Sequence, residues 1–127
     1  MKTILVDAVN TLVLKGVGLN KEILNILEAF PNKKIVLTSA DDEEHKTFGL
    51  DAVPYKVFTL KHNPNKTDPN YYRALLKEYG LNIGDVVYFE HNEEAVKSAE
   101  EVGIKTFWYD PVKKDVAELR KFLETNL

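Results

Sequence analysis

The sequence contains no cysteine. That excludes disulfides, zinc–thiolate centres and a cysteine nucleophile. No apolar run approaches the length of a membrane span. The first apolar run, Ile4-Leu5-Val6, stops at Asp7, too soon for the core of a signal peptide. An excess of positive charge is also missing. Lys and Arg number 17 against 20 Asp and Glu, a net charge of -3, so the chain has no electrostatic footprint for nucleic acid. Six glycines and five prolines are too few and too scattered for a linker, and no repeat or low-complexity tract is present. The composition is that of a globular protein. The expectation is one domain over residues 1–127, cytoplasmic, with no membrane or nucleic-acid partner.

What is present is a regular alternation of strand and helix. Ile4 to Val6 is a short β-favouring run that ends on a carboxylate, Asp7, and is followed by Ala8-Val9-Asn10-Thr11-Leu12. Lys15 to Leu19 reads as a loop. Asn20 is placed to cap a helix carrying Ile23, Ile26, Leu27 and Phe30 at helical spacing. Lys34 to Ser39 is a second buried strand ending in two hydroxyls, Thr38 and Ser39. Asp41 to Glu44 then open a short helix, where acids suit the positive end of the dipole. Val53 to Leu60 holds a third strand. Lys66 leads into Asp68-Pro69, a cap followed by proline at the first helical position, and Gly80 closes that helix. Asp85 to Phe89 is a fourth strand running into Glu90-His91-Asn92. Asn92 caps the helix from Glu93 to Val102, and Gly103 closes it. Ile104 to Tyr109 is the fifth strand, and Asp110-Pro111 is expected to start the last helix, with Val112, Val116, Leu119, Phe122 and Leu123 on one face.

Five strands alternating with helices imply an α/β fold: a three-layer, Rossmann-like sandwich with a five-stranded parallel sheet. Ligands bind such sheets at the carboxyl ends of the strands. Asp7, Thr38, Ser39, Glu90 and His91 all fall there.

In order and spacing these pieces resemble the haloacid dehalogenase-like (HAD) superfamily of hydrolases, from Ile4 to about Tyr109. The family's first signature, an apolar strand followed by D-x-D-G-T-L, reads Asp7-Ala8-Val9-Asn10-Thr11-Leu12. Its second, a strand ending in Thr or Ser, falls on Thr38. Its third, a lysine before a helix, reads Lys66-Thr67-Asp68-Pro69. Its fourth, Gly-Asp with a second acid further on, reads Glu90-His91-Asn92-Glu93-Glu94-Ala95.

The resemblance implies Asp7 as a nucleophile that forms an aspartyl-phosphate. Thr38 and Lys66 would hold phosphoryl oxygens, with Asn10, Thr11 and Ser39 beside the substrate. It implies magnesium held by Asp7, the Val9 carbonyl and a fourth-signature group, here Glu90 or His91. The substrate would be a phosphorylated small molecule or macromolecule. No room is left for an inserted cap domain, and capless members act on macromolecules or close the site by oligomerising, so a homo-oligomer is an expectation.

The departures cut against catalysis. Val9 stands at the general acid/base position and cannot move a proton, a loss of ~10²–10⁴ in rate. Asn10 replaces a glycine but tolerates a left-handed backbone. Glu90-His91 replace Gly-Asp, and Ala95 replaces an acid. Histidine suits zinc better than magnesium. Dehalogenases also carry an uncharged residue at the position of Val9, but they use a cap, and their fourth-signature acid falls on Ala95. Phosphoester hydrolysis therefore leads, with an inactive binding or regulatory module as the alternative.

Each residue also has a plainer reading. Asp7 and Thr38 or Ser39 can cap turns, Lys66 can be a solvated lysine, and His91 can be a hydrogen-bonded residue at a helix start. Trp108 is core or interface.

Overall fold

The structure is a computed structural model describing residues 1–127. Its centre is β1 (Thr3–Asp7), a strand buried along its whole length. Such a strand reads as a continuous apolar run because both faces of a parallel sheet are covered. β1 pairs in parallel with β4 (Lys34–Thr38) on one side and β6 (Val86–Glu90) on the other. β5 (Lys56–Thr59) and β7 (Lys105–Trp108) form the two edges, giving the order β5-β4-β1-β6-β7. The expected five-stranded parallel sheet is therefore present, with strand ends within a few residues of those read from the sequence.

Side chains alternate across this sheet. Ile4, Val6, Val36, Val87 and Phe89 face one core with α1 (Lys21–Glu28) and α5 (Val116–Asn126). Leu5, Leu37 and Tyr88 face the other core with α3 (Pro69–Tyr79) and α4 (Glu93–Val102). Asp7 lies two residues beyond Leu5, and Glu90 lies two beyond Tyr88. Period-two alternation therefore points both acids to the α3–α4 side, at the carboxyl end of the sheet.

The caps of α3 and α4 form as expected. Asp68 accepts a bond from the Asn70 amide at 2.9 Å, Pro69 opens α3, and Gly80 closes it at φ 61°. Asn92 accepts from the Glu94 amide at 2.9 Å, and Gly103 closes α4. The short α2 (Asp42–Thr47) is held by Asp41, whose carboxylate accepts from the Glu44 amide, while the Glu44 carboxylate accepts from the Asp41 amide. Neither Thr38 nor Ser39 caps it.

Three local expectations are corrected. The stretch read as a loop, Lys15 to Leu19, is instead the turn and second strand of a small hairpin, β2 (Val13–Leu14) with β3 (Gly18–Leu19), whose two-residue strands leave no periodicity to read. Asn20 precedes α1 but its side chain caps nothing there. Its amide donates instead to the Thr11 carbonyl at 3.1 Å. The last helix begins at Val116, not after Asp110. Asp110 closes a turn by accepting from the Val112 amide at 2.9 Å, Lys114 turns left-handed at φ 47°, and Asp115 is the true cap. Val112 is accordingly 87% exposed rather than part of the apolar face.

No inserted domain interrupts these connections. No helix is long and apolar enough to cross a membrane.

Candidate active site

Asp7 ends β1 with no exposed surface, at the floor of an open cleft of about 280 Å³. The chain leaves the strand there through a tight turn. The Thr11 and Val13 amides both donate to the Ala8 carbonyl, and Asn10 sits at φ 71°, a conformation that Asn tolerates. This turn folds the Thr11 hydroxyl back onto Asp7 Oδ2 at 2.6 Å.

Three further groups converge on the same carboxylate. Lys66 Nζ lies 2.6 Å from Asp7 Oδ1 and 2.8 Å from Glu90 Oε1, and also donates to the Leu37 carbonyl at 3.2 Å. The His91 amide donates to Asp7 Oδ2 at 3.1 Å, and His91 Nδ1 bonds the same oxygen. Nδ1 is also 3.2 Å from Glu90 Oε2. A ring nitrogen facing two carboxylate oxygens must carry its hydrogen, because a lone pair there would be repelled.

Glu90 is fully buried as well. Its Oε1 accepts from Lys66 and from the Tyr88 hydroxyl, and its Oε2 accepts from the Asn92 amide at 3.1 Å. Tyr72 extends the chain, its hydroxyl 3.4 Å from that of Tyr88. Trp108 holds the turn from behind, donating from Nε1 to the His91 carbonyl at 2.8 Å. That contact gives the half-exposed Trp108 a local role the sequence left open.

The electrostatics follow from this packing. Burial alone would raise the Asp7 carboxyl, but the Lys66 charge and the His91 bonds outweigh it and hold Asp7 well below the usual carboxylate range. Burial would lower Lys66, yet Asp7 and Glu90 keep it well above the ordinary lysine value. Burial likewise opposes charge on His91, but its bonds to Asp7 and Glu90 push it up to about 9.

Of the residues singled out from sequence, Asp7, Lys66, Glu90 and His91 form one hydrogen-bonded cluster. Val9, Asn10, Thr38 and Ser39 line the cleft above it. Thr11 was expected beside the substrate, but it is fully buried and turned inward onto Asp7, so it orients the carboxylate instead. The Thr38 hydroxyl accepts from the Ala40 amide at 3.2 Å, and the Ser39 hydroxyl accepts from the Lys66 amide at 2.9 Å. Ser39 thus fixes the backbone that carries Lys66. Phe48, His62 and Asn65, which also line the cleft, escaped the sequence reading, and Glu44, read as part of an acidic first turn, joins them there. Tyr88 and Tyr72 escaped it as well. Tyr88 had a readable signal, since it lies two residues before Glu90 on the same strand face.

The donor set does not fit the magnesium that the resemblance implies. Magnesium wants near-octahedral oxygen ligands, and here imidazole stands at a fourth-signature position and Ala95 offers nothing. Asp7 Oδ2 already accepts three bonds, and both Glu90 oxygens are taken. The Lys66 ammonium bridges the two acids. A second cation within about 4 Å of it would meet roughly 4 kcal/mol of repulsion per unit charge at the effective dielectric of a partly buried site.

No family model matches the chain, and no curated protein matches it. Solved structures do. An uncharacterized protein from Listeria monocytogenes is similar over 98% of both chains, with a TM-score of 0.73 at 14% identity. The core domain of a proposed phosphoglycolate phosphatase from Streptococcus pneumoniae covers 98% of this chain and 96% of its own, with a TM-score of 0.64 at 18% identity. A HAD family enzyme from Bacteroides thetaiotaomicron, solved with magnesium and inorganic phosphate, covers 85% of this chain and 93% of its own, with a TM-score of 0.62 at 14% identity. At these identities the likeness concerns shape, and it agrees with the strand order and the acid at the end of β1: the chain has the haloacid dehalogenase-like fold.

Proposed function

We propose that this chain is a divergent HAD-type hydrolase acting on phosphoesters, with Asp7 as nucleophile and with turnover weakened by the absence of a general acid/base. The observation that carries the reading is the buried Asp7 carboxylate at the end of the central strand, on the floor of a cleft, with Lys66 Nζ 2.6 Å away. Oδ1 accepts only from Lys66, whereas Oδ2 accepts three bonds. Oδ1 is therefore the oxygen with a lone pair to spare for attack. In the first step an Oδ1–P bond forms as the ester P–O bond breaks, and the leaving alkoxide takes a proton from water. In the second step water attacks phosphorus, releasing inorganic phosphate and restoring the carboxylate. Lys66 offsets the negative charge that gathers on the phosphoryl oxygens.

Val9 lines the cleft where a proton donor would stand, so both proton transfers fall to water. A phosphorylated small molecule or an exposed phosphoryl group on a macromolecule both suit an open, uncapped cleft.

A second reading is favoured by the same bonds. With Asp7 Oδ2 and Glu90 saturated by protein donors, the cleft also suits a binding module that holds an anionic ligand without turning it over.

Hydrolysis of p-nitrophenyl phosphate by the wild type, Asp7→Asn and Val9→Asp separates the two. The hydrolase reading expects slow turnover that vanishes in Asp7→Asn and rises in Val9→Asp, by up to ~10²–10⁴-fold. No turnover in either the wild type or Val9→Asp would leave the binding module.

A further inference from the structure

In a HAD-like site two requirements meet at the first aspartate. Its charge must be offset, and its oxygens must be held in place. A bound divalent ion meets both at once. In this chain protein groups already meet them. Lys66 Nζ spans Asp7 Oδ1 and Glu90 Oε1 at 2.6 and 2.8 Å. His91 Nδ1–H lies between Asp7 Oδ2 and Glu90 Oε2, and the His91 amide and the Thr11 hydroxyl complete Oδ2. The two substitutions at the fourth signature act as a pair. Glu90 brings a buried acid that Lys66 and Tyr88 hold, and His91 brings the donor that reaches both acids. Tyr88 and Asn92 then take the remaining Glu90 lone pairs. These bonds also explain why Glu90, a residue seldom buried unless paired, has no exposed surface.

We propose that this site works without a divalent metal, the Nδ1–H of His91 and the ammonium of Lys66 occupying the positions on Asp7 and Glu90 that a metal would need. The inference concerns the same cleft as the hydrolase reading, but its readout is metal binding and does not depend on turnover.

The test is metal uptake and thermal stability of the chelator-treated protein, measured with magnesium, manganese and zinc in turn. The wild type retains no stoichiometric metal at Asp7 through gel filtration, and its melting temperature stays where it was. His91→Asp, which restores an oxygen ligand, gains metal-dependent stabilisation of about 8 °C at about a hundred-fold excess over its dissociation constant. Uptake by the wild type that disappears in Asp7→Asn overturns the proposal. Uptake that survives Asp7→Asn and is lost in His62→Ala belongs to the separate Asp41–Glu44–His62 cluster and leaves the central site metal-free, as proposed. If neither the wild type nor a folded His91→Asp takes up metal, the assignment of the metal's position to His91 is overturned. Should His91→Asp fail to fold, His91→Asn replaces it: removal of the imidazole N–H from both carboxylates without added charge is then expected to let zinc or manganese bind, and failure to do so counts against the assignment in the same way.

Discussion

Two histidine–carboxylate clusters stand a short distance apart around one cleft, and they differ in almost everything but their chemistry. His91 meets Asp7 and Glu90, both fully buried, with Lys66 between them. His62 meets Glu44 at the rim, with Asn65 on its other ring nitrogen at 2.7 Å, in the open. Groups of the same kind are worth far more where water is excluded, because each lost partner leaves a charge that solvent cannot rescue. The inner cluster is therefore a unit whose members depend on one another. The outer one is a set of contacts that solvent can replace.

The largest expected effect comes from breaking the inner unit at its bridge. Lys66→Met leaves Asp7 and Glu90 side by side without the ammonium, and this costs about 3–5 kcal/mol of folding stability. Urea denaturation with two probes measures it. The double variant Lys66→Met/Glu90→Gln loses less than the sum of the two single variants, because the repelling charge is gone. Additive losses would show that Lys66 and Glu90 are independent, contrary to their 2.8 Å contact.

The second effect is a pH dependence. His91 is raised from 6.5 to about 9 in the folded protein. A raised histidine stabilises most below its unfolded value, so its contribution is complete below about pH 6.5 and is lost as pH climbs through about 9. Its side chain is 21% exposed, so solvent screens part of the gain, and a loss of about 1–2 kcal/mol across that window is expected. Asp7 acts with the opposite sign. Its carboxyl is held below the ordinary 3.8, so its contribution is present above that value and is lost as pH falls. Unfolding midpoints from pH 6 to 9.5 should slope downward in the wild type and flatten in His91→Asn. An equal slope in both would assign the dependence to another group.

Tyr88→Phe is milder. It removes one donor from Glu90 Oε1 but leaves Lys66 in place, and loss of one hydrogen bond to a buried acid costs about 1.5–3 kcal/mol at most, nearer the lower end where a second donor remains. Tyr72→Phe, one step further along at 3.4 Å, should cost less than Tyr88→Phe. The reverse order would mean that the Tyr72 hydroxyl, not that of Tyr88, carries the stronger bond.

The framework of this site was legible in the sequence because it rests on local signals. A run of β-favouring residues ending at Asp7 and the cap-and-proline pair Asp68-Pro69 each declare themselves within a few positions. What was not legible was the meaning of the substitutions. Read alone, Glu90 and His91 look like losses from a metal site. Only the parallel pairing of β1 with β6 sets them against Asp7, and only the approach of Lys66 from the loop before α3 shows that they are paired. The start of the last helix was misread for a related reason. Asp110 and Asp115 are both capable caps, and the left-handed turn at Lys114 that decides between them leaves no mark in a non-glycine residue.

The smallest effect is the control that gives the comparison its edge. His62→Ala removes the ring that touches Glu44 and Asn65 at the rim, but Asp41 and the α2 backbone still hold Glu44 through the capping box. The contact raises His62 and lowers Glu44, as any close ion pair does, yet both groups face solvent that screens their attraction. The unfolding midpoint should therefore stay where it is, and the pH slope assigned to His91 should persist unchanged. What should move is the cleft. His62 and Glu44 line the cleft together with Asn92 and Ala95, so a change in the KM for phosphoesters with kcat intact would mark them as groups that meet the substrate. A large loss of stability in His62→Ala would instead erase the distinction between the two clusters and show that the rim helps to hold the fold.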